Sequence, residues 1–288
     1  MNIKKRNTVT AYTLLMPLLI GCLTFYALPF GIVIWYSLVN GSGHSQVFAG
    51  FSNYTHLFSN DVFRMALDNT FKFLIIGLCL ILVVSFAIAL FLKKRVRKYK
   101  VLKSVLLLPY IMPVVGTVLL VDLVFSEAGL GNLLLNYLGL PLQDWLNSGS
   151  AFWVVILLYL WKNTGYSVIL FLSGLATIPD EQYAVASLDG ANRWKQFRYI
   201  TIPQMWYSVF FAGIFSLINA FKCFREIFLI GGIHPHESIY MLQHYINNCF
   251  EKLSYSKMAV ASMLMTVVVA AVVVIGYRWV LRKEEYKE

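Results

Sequence analysis

Long apolar runs without charged residues constrain this chain more than any other feature. Two of them, Phe73–Leu92 and Ala259–Tyr277, contain no acidic or basic residue. A helix of about 20 mostly apolar residues crosses the hydrocarbon core of a bilayer, so each run can span a membrane. The whole chain has this character, because 59% of its 288 residues are hydrophobic and 13% are charged, against about 25% charged in soluble domains. The sequence therefore predicts an all-α integral membrane protein.

Four further apolar runs raise the predicted number of spans to six. We expect one membrane domain over residues 1–288, without a long linker, whose spans occupy approximately 12–39, 73–92, 104–125, 151–175, 206–230 and 259–280. The first run is too long for a cleaved signal peptide and is expected to stay as a helix. Prolines inside the spans are tolerated where neighbouring groups satisfy the freed carbonyls.

The basic residues predict the orientation of the spans. Most of them fall on one side of a six-span arrangement: Lys4, Lys5, Arg6, Lys93, Lys94, Arg95, Arg97, Lys98, Lys100, Lys103, Arg193, Lys195, Arg198, Arg278, Arg282, Lys283 and Lys287. The other side carries Arg64, Lys72, Lys252 and Lys257. The positive-inside rule then places both termini in the cytoplasm. The net charge is +10. The basic residues behind it cluster beside the span ends, where they fix the topology and contact anionic lipid, so we expect no nucleic-acid partner.

Motifs for catalysis are absent from the sequence. It contains no G-x-x-x-x-G-K-[ST] phosphate loop, no H-E-x-x-H or G-x-S-x-G motif and no Cys/His metal spacing. His234 and His236 lie in a Gly/Pro loop without a third ligand nearby, and the four cysteines are scattered. We therefore expect a non-catalytic chain with no metal site and no bound cofactor.

Polar side chains inside the spans have two interpretations. On the fifth span Asn219, Lys222 and Glu226 fall within an arc of about 60°, with Arg225 beside it. The fourth span adds Lys162 and Asn163, and the third adds Asp122. Such groups usually face a cavity or a partner. They either line a path for a polar solute or form structural pairs, such as Lys222 with Glu226 or Asp122 with Lys162. The path is favoured for the cluster, and both interpretations stay open for each residue.

A polar segment between the fourth and fifth spans, Ile178–Pro203, is the main functional candidate; we call it the island. Pro179 gives a rigid start, and Asp180 and Glu181 suit a first helical turn. One helical face, or that of two short helices, is indicated by apolar residues and a glycine at spacings of three and four: Tyr183, Ala186, Gly190, Trp194 and Phe197. A glycine in mid-helix is unfavourable, so a break or a close backbone contact is expected at Gly190. The island either rests on the bilayer or is presented to another protein.

The island resembles the cytoplasmic EAA loop of permease subunits of bacterial ABC importers, with the pattern I-P-x-E-L-Y-E-A-A-x-x-D-G-A-x-x-W-x-x-F-x-x-I-x-x-P. The matching residues are Ile178, Pro179, Glu181, Tyr183, Ala186, Asp189, Gly190, Ala191, Trp194, Phe197, Ile200 and Pro203. The chain departs from the pattern at Ala184 and Val185, so the usual glutamate is missing. Stretches such as LLMPLLIGCLTFYALPFGIVIWYSLV and FKCFREIFLIGG are similar to MalF/UgpA-type sugar permeases.

The resemblance implies a permease subunit in a bacterial cell membrane, with a second homologous permease, two ATP-binding cassette subunits, an extracytoplasmic solute-binding protein and a carbohydrate substrate. ATP and Mg would bind the partner ATPase. Asp189 and Gly190 would anchor the turn between two coupling helices, and Tyr183, Ala186 and Trp194 would pack into an ATPase cleft. The coupling set is Glu181, Tyr183, Ala186, Asp189, Gly190, Ala191, Trp194 and Phe197. An ion-coupled carrier or channel is the alternative.

Overall fold

Six helical segments in the described part of the chain, some of them made of consecutive shorter helices, are long and apolar enough to cross a membrane: Ala11–Leu38, Asp61–Lys93, Val114–Tyr137, Ala151–Ala176, Trp206–Gly231 and Tyr255–Arg278. The structure, a computed structural model, describes residues 3–41, 46–96 and 100–285, with side chains over 11–41, 46–93 and 101–278. The prediction of an all-α protein with six spans is confirmed. Many residues behind the predicted orientation lie outside the described side chains: Lys4, Lys5, Arg6, Lys94, Arg95, Arg97, Lys98, Lys100, Arg282, Lys283 and Lys287.

The chain divides into two compact units, of which the first comprises Met1–Arg64 and Tyr245–Val269. It contains α1 (Ile3–Cys22), a π-helical turn (Leu23–Ala27), α2 (Leu28–Leu38), β1 (Val39–Asn40), β2 (Val47–Phe48) and α3 (Ser52–Phe58). The two short strands pair antiparallel. The Nδ2 group of buried Asn53 fixes α3 by donating to the carbonyl oxygens of Ser37 and Val39, at 3.2 and 3.0 Å.

The second unit comprises Met65–His244 and Ala270–Glu288. Within the described residues it contains twelve helices: α4 (Asp61–Val96), α5 (Lys100–Ile111), α6 (Val114–Phe125), α7 (Leu130–Tyr137), α8 (Ala151–Ala176), α9 (Asp180–Leu188), α10 (Arg193–Gln196), α11 (Ile202–Gln204), α12 (Trp206–Lys222), α13 (Phe224–Gly231), α14 (Leu242–Glu251) and α15 (Tyr255–Glu285). The helix α4 begins in the first unit, and α14 and α15 each belong partly to the first unit. A second π-helical turn covers Phe197–Thr201, and a 3₁₀ turn covers Glu237–Ile239.

Both π-helical turns precede a proline. Leu23–Ala27 ends two residues before Pro29, and Phe197–Thr201 ends two residues before Pro203. In a regular α-helix a proline ring collides with the carbonyl four residues earlier and leaves it without a donor. Each widened turn contains that carbonyl, so the proline is accommodated in the helical turn that follows. The helix continues past Pro29 as α2, whereas at Pro203 α11 ends one residue later, at Gln204.

The third predicted span differs from the structure. A continuous helix over 104–125 was expected, but α5 ends at Ile111 and α6 begins at Val114. Pro113 has an extended backbone (φ −64°, ψ 149°) and no N–H with which to continue the helix. The second span also begins earlier than predicted, at Asp61. The prediction started at the charge-free run, whereas the first turns of the helix carry exposed charges such as the Asp68–Lys72 ion pair (2.6 Å).

Helix α8 is the central element of the second unit. More than half of its most apolar stretch is buried, the largest share among the described spans. Two glycines allow its neighbours to approach closely: a Cβ at Gly165 would collide with the Leu106 carbonyl oxygen of α5, and one at Gly174 would collide with Ser208 of α12. Small residues serve the same purpose in other membrane helix packings. The island is attached directly to the end of this helix.

Candidate functional site

The island begins with a helix that the sequence specifies well. Pro179 is the N-cap with an extended backbone (φ −61°, ψ 135°), and α9 follows over Asp180–Leu188. Asp180 and Glu181 occupy the first turn, where the helix dipole favours negative charge. The predicted rigid start is present.

A glycine turn ends α9. The N–H of Ala191 donates to the Ala186 carbonyl at 2.8 Å, and the N–H of Gly190 donates to the Ser187 carbonyl at 3.1 Å. This pair of bonds is the Schellman motif, which needs a left-handed residue at the position of Gly190. Its φ is +75°, and no heavy atom lies within 4 Å of the place of a Cβ. The backbone conformation, not a close contact, therefore explains the glycine, and Asp189 is the C-cap beside it.

Hydrogen bonds join the two halves of the island beyond this turn. The side chain of Asn192 accepts from the N–H of Lys195 at 2.9 Å and caps α10. The Nε2 group of Gln196 donates to Ser187 Oγ at 2.8 Å and to the Ala191 carbonyl at 3.1 Å. Sequence reasoning missed Gln196, because its role depends on the turn that brings α9 and α10 together.

Tyr183 lies on the inner face of the island. Its hydroxyl group lies 2.9 Å from Thr201 Oγ1, and the Lys93 ammonium group lies 4.3 Å from the centroid of its ring. The ring packs against a buried apolar cluster that includes Phe171 and Leu175 of α8. Phe197 also faces the chain's own spans, with its ring centroid 6.1 Å from that of Phe86. These contacts hold the island against the membrane-spanning helices.

The outer face of the island carries large apolar side chains. Val185, Leu188, Trp194 and Tyr199 are 58%, 88%, 68% and 74% exposed. Of the predicted coupling residues, Glu181, Asp189, Gly190 and Trp194 are exposed, whereas Tyr183, Ala186, Ala191 and Phe197 are half-buried. The sequence analysis did not include Val185, Leu188 and Tyr199 among the coupling residues. A large apolar residue that lies outside the helical stripe of a polar segment could have indicated an exposed contact surface.

One polar residue of the fourth span and one of the fifth form an ion pair that is largely buried. The Lys162 ammonium group of α8 donates to the Glu226 carboxylate of α13, and their side chains are 14% and 5% exposed. Neither pairing suggested by the sequence, Lys222 with Glu226 or Asp122 with Lys162, describes this arrangement. Spacing within a helix could not reveal it, because the partners lie 64 residues apart.

The remaining predicted path residues separate into buried and exposed groups. Asn163 and Asn219 are buried. Asn163 Nδ2 donates to the Tyr159 carbonyl at 2.9 Å, and the Tyr159 hydroxyl donates to the Ser216 carbonyl at 2.8 Å. Lys222 and Arg225 are exposed. The described residues contain no group of three or more His, Cys, Asp or Glu side chains that could hold a metal ion.

A family of transport proteins matches most of this chain. The model of the "binding-protein-dependent transport system inner membrane component" matches residues 81–285, which include the island and the ion pair. The chain belongs to this family. It is therefore a multi-pass membrane permease of a transport system and not an enzyme.

Relatives of this permease are named as permease proteins of transport systems. It is 32% identical over 272 residues to the probable ABC transporter permease protein YurN of Bacillus subtilis, covering 91% of this chain and 92% of that protein. It is 30% identical to the sn-glycerol-3-phosphate transport system permease protein UgpA of Yersinia pestis, covering 96% and 95%. It is 29% identical to the trehalose/maltose transport system permease protein MalF of Thermococcus litoralis, covering 81% and 80%.

The fold of the permease is also that of a solved structure. A bacterial ABC transporter involved in the import of the acidic polysaccharide alginate superimposes with a TM-score of 0.79, covering 96% of each chain at 22% identity. A second structure, of the alginate transporter in complex with an alginate pentasaccharide-bound periplasmic protein, gives a TM-score of 0.77 at 20% identity. The TM-scores establish a shared fold.

A buried histidine, His244, lies outside the membrane-spanning helices of the permease. His244 is fully buried at the start of α14, with its ring 4.8 Å from that of Phe224. Its Nδ1 atom accepts the N–H of Met241 at 3.1 Å, and its Nε2 atom has no hydrogen-bond partner among the described residues. Burial lowers the pKa of His244 from 6.5 to about 4, because the charged imidazolium loses its hydration.

Proposed function

We propose that this permease is the membrane subunit of an ATP-driven, binding-protein-dependent ABC importer for a sugar or oligosaccharide. The match to the binding-protein-dependent family over residues 81–285 carries the proposal. Relatives named for trehalose/maltose and arabinooligosaccharide transport support a carbohydrate substrate. A solute-binding protein is supported by the family's name and by the periplasmic protein bound in the second solved structure.

The proposed assembly contains a second homologous permease, two ATPase subunits that bind ATP and Mg, and an extracytoplasmic binding protein. The island would lie in the cytoplasm, as would both chain termini, and would dock on an ATPase. Trp194 and Leu188 offer exposed apolar area for a cleft of the ATPase. Glu181, Asp189, Ala186 and Ala191 would surround that contact, and Gly190 would set its shape.

The island is suited to transmit force. The turn at Gly190 and the bonds from Gln196 make α9 and α10 one element. Tyr183 and Phe197 join that element to the spans. An ATPase that closes on the outer face would therefore push on the spans through packed side chains. This mechanism needs stiffness in the island rather than a reactive group.

The substrate path would run along the fourth and fifth spans. Lys222 and Arg225 are exposed and, among the described residues, form no ion pair. They can donate hydrogen bonds to sugar hydroxyl groups or to a carboxylate of an acidic sugar. Lys162, Asn163, Asn219 and Glu226 would form the packed wall behind them.

Reconstitution tests the proposed function. Proteoliposomes containing the complete assembly should take up labelled maltooligosaccharide only with ATP on the ATPase side and binding protein on the other side. A neutral and a uronate-containing oligosaccharide should be compared, because the exposed basic groups are suited to either. Uptake by this chain alone, driven by an ion or solute gradient, would instead support a secondary carrier or channel.

A further inference from the structure

A cavity of about 850 Å³ lies between the island and the ends of two spans. One wall is apolar: Leu90 of α4 and Ala176 of α8 are accessible there, and the buried Leu172 and Leu175 of α8 also line it. The spans themselves end nearby, at Lys93 and at Ala176. The cavity therefore opens where the hydrocarbon of a bilayer gives way to the headgroup layer.

The polar side of this cavity is basic. Lys93, Lys103 and Arg193 line it, against one carboxylate, Asp180. In the described part of the chain neither Lys103 nor Arg193 forms an ion pair. These cations come from three separate elements, α4, α5 and α10, so no single helix explains their convergence.

We propose that this cavity binds an anionic phospholipid. An apolar wall beside a basic rim matches a molecule with acyl chains and a phosphate headgroup. Basic pockets between membrane helices bind such headgroups, and each Lys or Arg near an anionic surface contributes about 1 kcal/mol. A free phosphate would use the cations but leave the apolar wall exposed to water, which favours the lipid as the occupant.

The bound lipid would contact the island directly. Tyr183 and Phe197 also line the cavity, and Lys93 is already held over the Tyr183 ring. A headgroup bridging Lys103 of α5 and Arg193 of α10 would tie the island to the spans at a second place. The lipid would then support the stiffness on which the proposed coupling depends, although its binding does not require the proposed transport activity.

Lipid retention by the purified full-length chain tests the proposal. In mixed micelles of phosphatidylglycerol and phosphatidylcholine, native mass spectrometry should find phosphatidylglycerol retained preferentially. Lys103→Gln and Arg193→Gln should each reduce its apparent affinity about fivefold, the ratio that corresponds to about 1 kcal/mol per charge. Lys195→Gln is the matched control, because Lys195 is an exposed basic residue of the same helix outside the cavity, and it should retain the lipid.

A neutral variant separates cavity occupation from general surface charge. Ser173 lines the cavity and is exposed, so Ser173→Trp should fill part of the space and displace the lipid without changing any charge. Equal retention of the two lipids, or no response to Lys103→Gln, Arg193→Gln and Ser173→Trp in a folded chain, would overturn the proposal. Displacement of phosphatidylglycerol by millimolar inorganic phosphate would assign the site to a free anion instead.

Discussion

The hydroxyl groups of Tyr183 and Thr201 lie 2.9 Å apart and connect the first helix of the island to the turn that leads into the fifth span. Thr201 is buried, and Tyr183 is half-buried beneath Lys93. This contact places the tyrosine of the motif against the chain's own helices, while Trp194 stays exposed.

Tyr183→Phe tests this connection. The variant keeps the ring and its contact with Lys93 but leaves the Thr201 hydroxyl without this partner, so we expect a loss of about 1 kcal/mol in the free energy of unfolding. ATP-driven uptake should fall more than membrane insertion. Thermal unfolding in detergent and uptake in proteoliposomes are the measurements. Tyr199→Phe, at an exposed tyrosine of the same turn, is the control and should have little effect on stability.

Gly190→Ala tests the turn. The added Cβ meets no atom within 4 Å, but the residue has a φ of +75°. We expect a cost of about 1–2 kcal/mol from backbone strain and a loss of coupled uptake. Gly190→Asn should be milder, because asparagine tolerates this conformation.

Gly139→Ala is the matched control for Gly190. Gly139 has a φ of +69°, also with open space around it, and lies outside the island. The two alanine variants should show similar losses of thermal stability, but only Gly190→Ala should uncouple ATP hydrolysis from uptake. Equal transport defects in both would contradict a specific role for the island.

The Lys162–Glu226 pair predicts strong coupling between two substitutions. Glu226→Met should destabilise the chain by about 3–5 kcal/mol, because it leaves the Lys162 charge buried without its partner. Lys162→Met combined with Glu226→Met should recover most of that loss. Lys72→Met, which breaks the exposed pair with Asp68, should cost less than about 1 kcal/mol.

Transport by the double variant then decides the role of the pair. A stable double variant that transports normally would make the ion pair structural. A stable double variant without uptake would place Lys162 and Glu226 in the solute path. Folding of Glu226→Met with unchanged stability would contradict the buried pair itself.

His244 predicts a loss of stability in mild acid. Burial lowers its pKa to about 4 from 6.5, so the unfolded chain takes up a proton first as the pH falls. Neutral His244 contributes to the free energy of unfolding. This contribution is complete above about pH 6.5, decreases as the pH falls towards 4, and amounts to roughly 3 kcal/mol at most. Thermal unfolding at pH 7.5 and pH 5 should show the decrease, and His244→Phe should reduce it. His56→Gln, at an exposed histidine, should leave it unchanged.

The six spans were predictable because helix length and hydrophobicity are properties of the local sequence. The helix break before Pro113 was not, because proline is tolerated inside membrane helices wherever neighbours satisfy the carbonyls, and only the fold supplies those neighbours. The cross-helix partner of Glu226 was hidden for a similar reason, since periodicity identifies neighbours only along one helix.

The island shows the same division. Its first helix and its glycine turn follow from capping residues and from the one residue type that favours a positive φ. Periodicity grouped Tyr183 with Trp194, yet Tyr183 faces the spans and Trp194 faces outward. A stripe of spaced residues shows which side chains share a face of one continuous helix, and the break at Gly190 rotates the second half.

The contact between Gly165 and the Leu106 carbonyl restricts how this protein can change shape. The backbones of α8 and α5 approach each other there without an intervening side chain, and any side chain larger than that of glycine at position 165 would force them apart. We expect the two helices to move together during a transport cycle. Spin labels placed on them should then keep a constant separation in every state, and we expect a hinge at the non-helical link before Val114 instead.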